Sequence, residues 1–372
     1  MPAELLKLIA PIGDSPQKVV VAMSGGVDSS TVAAVLKHQG HEVIGVTLQL
    51  YDYGLTVGKK GACCAGQDIY DALQAAEKLG IPHYVLNYES IFKESVIDDF
   101  ADSYLRGETP IPCVRCNQKV KFRDLFKVAK DLGADCLATG HYVQRIESAG
   151  MVELHQGFET AKDQSYFLFT TTRDQLDYLR FPIGALNKSQ TRELAKYFGL
   201  NVADKPDSQD ICFVPNGSYS AVIEKYRPGA LDSGNIIFKD GTPLGRHEGI
   251  INFTIGQRRG IGISSSEPLY VIKIDPLTND VIVGYREDLE SAKLEVKEMN
   301  WLITTPRHEE SLKCSVKLRS VHKTIEAEVT VLENGRAKIE LAEAYAGITP
   351  GQACVMYDGT RVLGGGWIER EV

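Results

Sequence analysis

The chain has 372 residues, 43% of them hydrophobic, 24% charged and 8% aromatic, which excludes a disordered or fibrous protein and implies two or three domains. A net charge of −8 gives no global basic signal for nucleic acid, and eight cysteines are too sparse for a disulfide scaffold of this length. The N-terminus lacks a basic segment before a long apolar core, and no stretch approaches the ~18–20 apolar residues of a membrane helix. The expectation is a cytoplasmic protein with no membrane partner, in which paired cysteines are more readily catalytic or metal-binding than structural.

Residues 1–142 alternate short β-branched runs with helical patterns. Lys18–Met23 reads as a buried strand ended by Gly25-Gly26, and Ser30–His38 as a helix stopped by Gly40. His41–Leu50 is a second strand, Asp68–Leu79 a helix and Ile81–Leu86 a third strand. Val120–Leu132 follows as a helix, then Cys136–Thr139 as a strand. This alternation predicts an α/β fold with a Rossmann-like parallel sheet and helices on both faces. Beyond about 215 the texture changes to short strands, among them Leu269–Ile274, Asp280–Val283, Cys314–Leu318 and Ile325–Val331. Boundaries near 217 and 290 divide the chain into an α/β module (1–217), a small central β-rich module (218–289) and a C-terminal β module (290–372).

Ser24-Gly25-Gly26-Val27-Asp28-Ser29-Ser30 lies between the first strand and the first helix. Its glycines admit close backbone approach to an anion, and the free amides at the helix start point towards it. Asp28 would repel a bare phosphate and is explained if Mg²⁺ bridges it to a polyphosphate. With no GxxxxGK[ST] lysine, this is not a Walker A loop. Cys113 and Cys116 form a CxxC in Thr109–Asn117, just before the helix predicted from Gln118, with Arg115, Lys119 and Lys121 nearby. A thiol at such a helix start is expected to be a good nucleophile. Cys212 sits in the polar segment 207–213. Cys136, Cys314 and Cys354 fall in apolar or β-type runs and read as packing; Cys63 and Cys64 receive no role. Six basic residues between Arg115 and Lys130, with Gln257-Arg258-Arg259 and Lys317-Leu318-Arg319, make local cationic clusters on an acidic chain.

SGGVDS resembles the PP-loop of the ATP pyrophosphatases, which cleave ATP between the α- and β-phosphates. The chain as a whole resembles the tRNA-specific 2-thiouridylases, through SGGVDSS, TPxPxxxCNxxxKF (109–122), ATGHYV (138–143), KDQSYFL (162–168), DSxxICF (207–213), GQRRGIGI (256–263), VKLR (316–319) and TPGQ (349–352). The resemblance implies adenylation of the C2 carbonyl of the wobble uridine of tRNA for Glu, Gln and Lys, followed by sulfur transfer. It implies Cys116 as nucleophile and Cys212 as persulfide carrier, loaded by a cysteine desulfurase or sulfur-relay protein. It places Ala22, Met23, Ser24, Gly25, Gly26, Val27, Asp28, Ser29 and Gly140 with ATP and Mg²⁺, and Leu48, at the end of the second strand, is positioned to pack on adenine. With the tRNA it places Ile111, Pro112, Cys113, His141, Arg319, Ser320 and Gln352, while Lys162, Asp163 and Gln164 could hydrogen-bond a uridine flipped out of its stack. It implies a C-terminal β-barrel that helps to grip the anticodon arm.

At Cys113 the chain departs from the family's commonest residue, Asp. A [4Fe–4S] cluster on Cys113, Cys116 and Cys212 is therefore an alternative route to the same product. Two rival functions stay open: a PP-loop ligase acting on a small molecule, and a non-enzymatic iron–sulfur or sulfur-carrier protein.

Overall fold

The computed structural model describes residues 2–9, 11–51, 64–207, 211–214 and 217–369; Cys63 lies outside them, as does the side chain of Cys64. Two compact units make up the chain. One contains 1–95, 114–213 and 360–362, the other 96–113, 214–359 and 363–372.

The first unit is built on strands β1 (Lys18–Ala22), β2 (Glu42–Gln49), β3 (His83–Asn87) and β4 (Cys136–Ala138), with the two-residue strand Leu179–Arg180 at one edge. The sheet order is β3-β2-β1-β4 and then Leu179–Arg180, and every pairing is parallel. A parallel sheet covered on both faces needs near-continuous apolar strands. Val19, Val20 and Val21 meet that demand at 0% exposure. Val32, Val35 and Leu36 of the helix Val27–His38 pack into the same core with Ala72 and Ala76 of the helix Cys64–Leu79.

Observed helices begin earlier than periodicity suggests. Val27–Ser29 supply the first turn of the first helix although their polar residues hide the apolar pattern. The helical run predicted from Val120 starts at Pro112 and continues to Asp131, π-helical from Asn117 to Leu125. Proline suits a first helical position because the N–H it lacks would have no partner there. This corrects the expected setting of Cys116, which lies at the end of the first helical turns and not before the helix.

In the second unit, Tyr270–Asp275, Asp280–Gly284, Gly234–Phe238 and Pro243–His247 form a four-stranded sheet in that order. The strands Glu290–Trp301, Ala337–Ala346, Ile325–Val331, Ser311–Lys317, Ala353–Asp358 and Arg361–Ile368 then form a closed six-stranded β-barrel, sealed where the first pairs with the last. Val296, Val316, Val329, Ile339, Cys354 and Met356 fill it. Among the described residues, no helix is long and apolar enough to cross a membrane.

Candidate active site

β1 leads on to β2 at one side, whereas its other neighbour, β4, leads to Leu179–Arg180 at the opposite side, so the connections from these two adjacent strands diverge. Open α/β sheets bind ligands in the crevice that this divergence creates. Ser24–Ser30 occupies that point. Gly26 caps the helix Val27–His38 in extended conformation, and Gly25 takes φ +71°, a left-handed setting that favours glycine. A Cβ at Gly25 would stand 1.9 Å from the Asp68 carbonyl oxygen, so the loop is pressed against the start of its neighbouring helix. Inside the loop the Ser24 amide donates to Ser29 Oγ at 3.1 Å. Gly140, after β4, lies so close to this turn that a Cβ there would meet the Ser29 nitrogen at 2.9 Å. That glycine therefore serves backbone packing against the loop.

Asp28 is surrounded by donors. Lys188 Nζ reaches both of its carboxylate oxygens at 2.8 Å, and Tyr142 donates its hydroxyl at 2.8 Å. Burial, then the charge of Asp28, raises the Tyr142 phenol and keeps it a donor. The same Lys188 ammonium lies 2.8 Å from Asp207, which also pairs with Lys162 at 2.7 Å and Arg192 at 3.1 Å. Burial opposes ionisation of Asp207, but its bonds to Lys162 and Lys188 prevail and bring its carboxyl down to about 2. A capping box between Asn187 and Gln190 starts the helix Lys188–Tyr197 and so fixes Lys188 and Arg192.

An ion-pair chain thus runs from the loop aspartate through Lys188 to Asp207, at the head of the segment that carries Cys212. Cys212 is exposed and Cys116 buried; both are thiols, as are Cys113, Cys136, Cys314 and Cys354. The last three expected packing residues are buried, at 1%, 6% and 0% exposure for Cys136, Cys314 and Cys354. Among the described residues, no group of three or more His, Cys, Asp or Glu side chains is arranged to hold a metal ion.

Other residues expected at the site occupy definite places. Leu48 is half-buried in β2, with Ala22 at the end of β1 and Met23 buried beyond it. Asp163 accepts from the Gly157 and Ser165 amides and from the Ser165 hydroxyl. Gln164 Oε1 accepts from the Tyr142 amide at 2.9 Å, so both side chains order their own neighbourhood. In the second unit Ile111 and Pro112 are buried and Cys113 exposed. Gln352 donates to the Thr109 carbonyl at 2.8 Å, and Arg319 donates to Thr349 Oγ1 at 2.7 Å; Ser320 is half-buried. Of the basic run, Arg123, Lys127 and Lys130 are exposed while Arg115, Lys119 and Lys121 are half-buried.

His141 shares a hydrogen bond with Thr139 Oγ1 at 2.8 Å and packs edge-on to Phe122 and Phe181. Burial, then the charge of Lys121, pushes its imidazole down to about 3, so it is neutral at physiological pH. Its stabilising contribution is complete above the unfolded value of 6.5 and is lost as pH falls towards 3. Thermal unfolding followed from about pH 7.5 to about pH 5 is expected to show a falling Tm, and His141→Gln to flatten that fall. An equal slope in the variant would refute the assignment.

Lys188, Tyr142, Arg192 and Lys205 were not legible as site residues in the sequence. Lys188 is 160 positions from the aspartate it holds, and only folding brings the two together. Asp207 did carry a local signal, since it opens the Cys212 motif, whereas Lys205 lies two positions outside it.

A glycine-rich loop at the divergence point of a parallel sheet, with a buried and an exposed thiol in the same unit, defines a Rossmann-like α/β protein. Residues 17–216 match the family model described as tRNA methyl transferase HUP domain, 220–285 the PRC-barrel domain of that name and 291–368 an aminomethyltransferase β-barrel domain. The tRNA-specific 2-thiouridylase MnmA of Rickettsia massiliae (strain Mtu5) is 61% identical over 361 residues, 97% of this chain and 99% of the relative. That of Rickettsia bellii (strain OSU 85-389) is 61% identical over 359 residues, 96% of this chain and 98% of the relative. The chain belongs to the MnmA family of tRNA-specific 2-thiouridylases. Among solved structures, an NMN synthetase from Francisella tularensis matches with a TM-score of 0.35 and 18% identity, covering 60% of this chain and 84% of that one. Similarity at that level bears on neither activity nor substrate.

Proposed function

We propose that this chain is a tRNA uridine 2-sulfurtransferase that adenylates the target base with ATP and transfers sulfur through Cys212 and Cys116. The observation that carries the reading is the ion-pair chain from Asp28 through Lys188 to Asp207, which ties the anion loop to the segment bearing Cys212. The matched family models speak of methyl transfer, whereas the relatives that align end to end are thiouridylases. An anion loop and two separate cysteine motifs favour sulfur chemistry.

In this reading the uridine O2 attacks the α-phosphate of ATP and pyrophosphate leaves, its charge met by the loop amides and Lys188. Asp28 is the carboxylate that would hold Mg²⁺, which when bound neutralises polyphosphate charge. The terminal sulfur of a Cys212 persulfide attacks C2 and AMP departs. The Cys116 thiolate then attacks Cys212 Sγ, which releases the 2-thiouridine and leaves a Cys116–Cys212 disulfide. An external thiol must reduce that disulfide, which suits the reducing cytoplasm. Residues 1–217 act as the adenylating module; 218–289 and the barrel of 290–372 grip the anticodon arm largely by shape and backbone.

Unmodified glutamate tRNA incubated with protein, ATP, Mg²⁺ and a persulfide donor is expected to give product retarded on a mercury-containing gel. Absence of thiolated tRNA would sink the proposal. Because Cys113 has no step in this route, Cys113→Ala is expected to retain turnover within about threefold. Complete loss in a folded Cys113→Ala protein would instead favour the cluster route.

A further inference from the structure

Lys205 has no role in the chemistry above, yet its ammonium sits against the anion loop. Nζ donates to the Gly25 carbonyl oxygen at 2.9 Å and pairs with Asp68 at 2.7 Å and with Asp71. Asp68 and Asp71 belong to the helix Cys64–Leu79, whose first described turn presses on Gly25. The lysine thus has three fixed partners, and one of them is a loop peptide.

The orientation of that peptide matters. The Gly25–Gly26 bond is trans, as are all the peptide bonds described, so its C=O and N–H point in opposite directions. Whichever way the Gly25 carbonyl turns, the Gly26 amide turns the other. A glycine pair imposes little preference of its own, because each residue tolerates both signs of φ. Left unheld, the peptide can rotate its carbonyl towards a bound anion, where the oxygen would repel phosphate and the N–H donor would be lost.

We propose that Lys205 is a positioning residue for nucleotide binding: it holds the Gly25 carbonyl on its own side and so presents the Gly26 N–H to the polyphosphate. Its charge is met by Asp68 and Asp71. Burial works against the ammonium, but bonds to these two carboxylates raise its pKa and keep it protonated. It therefore acts through the loop backbone and not as a free cation beside the phosphates. Pro206 follows directly, and its ring restricts the segment that delivers the lysine.

This inference rests on the ATP-dependent reading, and the test separates the two. Binding of Mg²⁺ with α,β-methylene-ATP, which cannot be cleaved at the α–β position, is titrated calorimetrically, and steady-state thiolation is run with varied ATP. Lys205→Met is expected to weaken analogue binding and raise the KM for ATP by about tenfold or more. Its kcat at saturating ATP should stay within about threefold and its tRNA affinity should be unchanged. Lys205→Arg, which keeps the charge and a donor, is expected to restore most of the affinity. Should Lys205→Met fail to fold through its orphaned carboxylates, Asp68→Asn/Asp71→Asn/Lys205→Met removes that charge problem and must still show the raised KM. A folded variant with wild-type analogue affinity, or one that loses kcat at unchanged KM, overturns the positioning role alone. Failure of the wild-type protein to bind the analogue overturns the ATP-dependent reading, and the positioning role falls with it.

Discussion

Cys116→Ser is expected to abolish tRNA thiolation, by a factor of about a thousand or more, while leaving nucleotide binding at its wild-type level. The substitution exchanges one atom at a site only 7% exposed within a helical run, so the fold has little reason to change. A serine hydroxyl, however, is almost wholly protonated at neutral pH and cannot displace sulfur from Cys212. Cys212→Ser should be equally inactive for a different reason, since no persulfide can form. Residues that act as one catalytic unit are non-additive, so the double variant should be no worse than either single one. A mass measurement after incubation with tRNA, ATP and sulfur donor would locate the block: Cys116→Ser should trap sulfur or tRNA on Cys212, and Cys212→Ser should trap neither. Turnover above one-tenth of wild type in either variant would remove these roles.

Lys188→Met is expected to lower thiolation by at least about a hundredfold and also to destabilise the protein. Its ammonium is shared by Asp28 and Asp207, and the lysine side chain is only 12% exposed. Removing one partner from a largely buried ion pair costs about 3–5 kcal/mol when the charge left behind has no other partner. Asp207 retains Lys162 and Arg192, and Asp28 retains the Tyr142 hydroxyl, so the loss of stability should fall below that range. Urea unfolding measures this part, and analogue titration the other. Two carboxylates with no lysine between them make the loop hostile to polyphosphate, so affinity for Mg²⁺ with α,β-methylene-ATP should fall as well. Lys188→Arg should recover stability better than turnover, because a planar guanidinium does not reproduce a point charge shared between two acids. Wild-type affinity and turnover in Lys188→Met would refute the bridging role.

Much of the fold was legible because its signals are local. Val19–Val21 read as a buried strand from composition, and Gly40, Gly80 and Gly133 marked helix ends that the structure confirms with positive φ at each. The C-terminal strands showed by alternation, and the Ile325–Val331 strand has the bounds that its pattern predicts. Helix starts were less legible. Val27–Ser29 and Pro112–Cys116 are helical through capping geometry and proline at the first position, which hydrophobic periodicity does not register. The setting of Cys116 therefore departs from the one that periodicity predicts.

The loop and the cysteine motifs were also plain in the sequence, because each concentrates its chemistry in a few consecutive residues. Charge pairing behaves differently. Asp28 suggested only a cation, and the fold supplies Lys188 and the Tyr142 hydroxyl from far along the chain. His141 looks like a polar residue in a motif, and only its packing shows an imidazole held neutral.

The sequence by itself determined the α/β module, the β-rich texture that follows it, the glycine loop and the cysteine motifs, since periodicity, turn residues and short motifs are properties of neighbouring residues; the barrel was implied by family resemblance. Only the tertiary structure decided how that loop is held: Lys188 between Asp28 and Asp207, and Lys205 against the Gly25 carbonyl. Coulombic and hydrogen-bonding partners are chosen by distance in space, and no local pattern records which lysine will arrive.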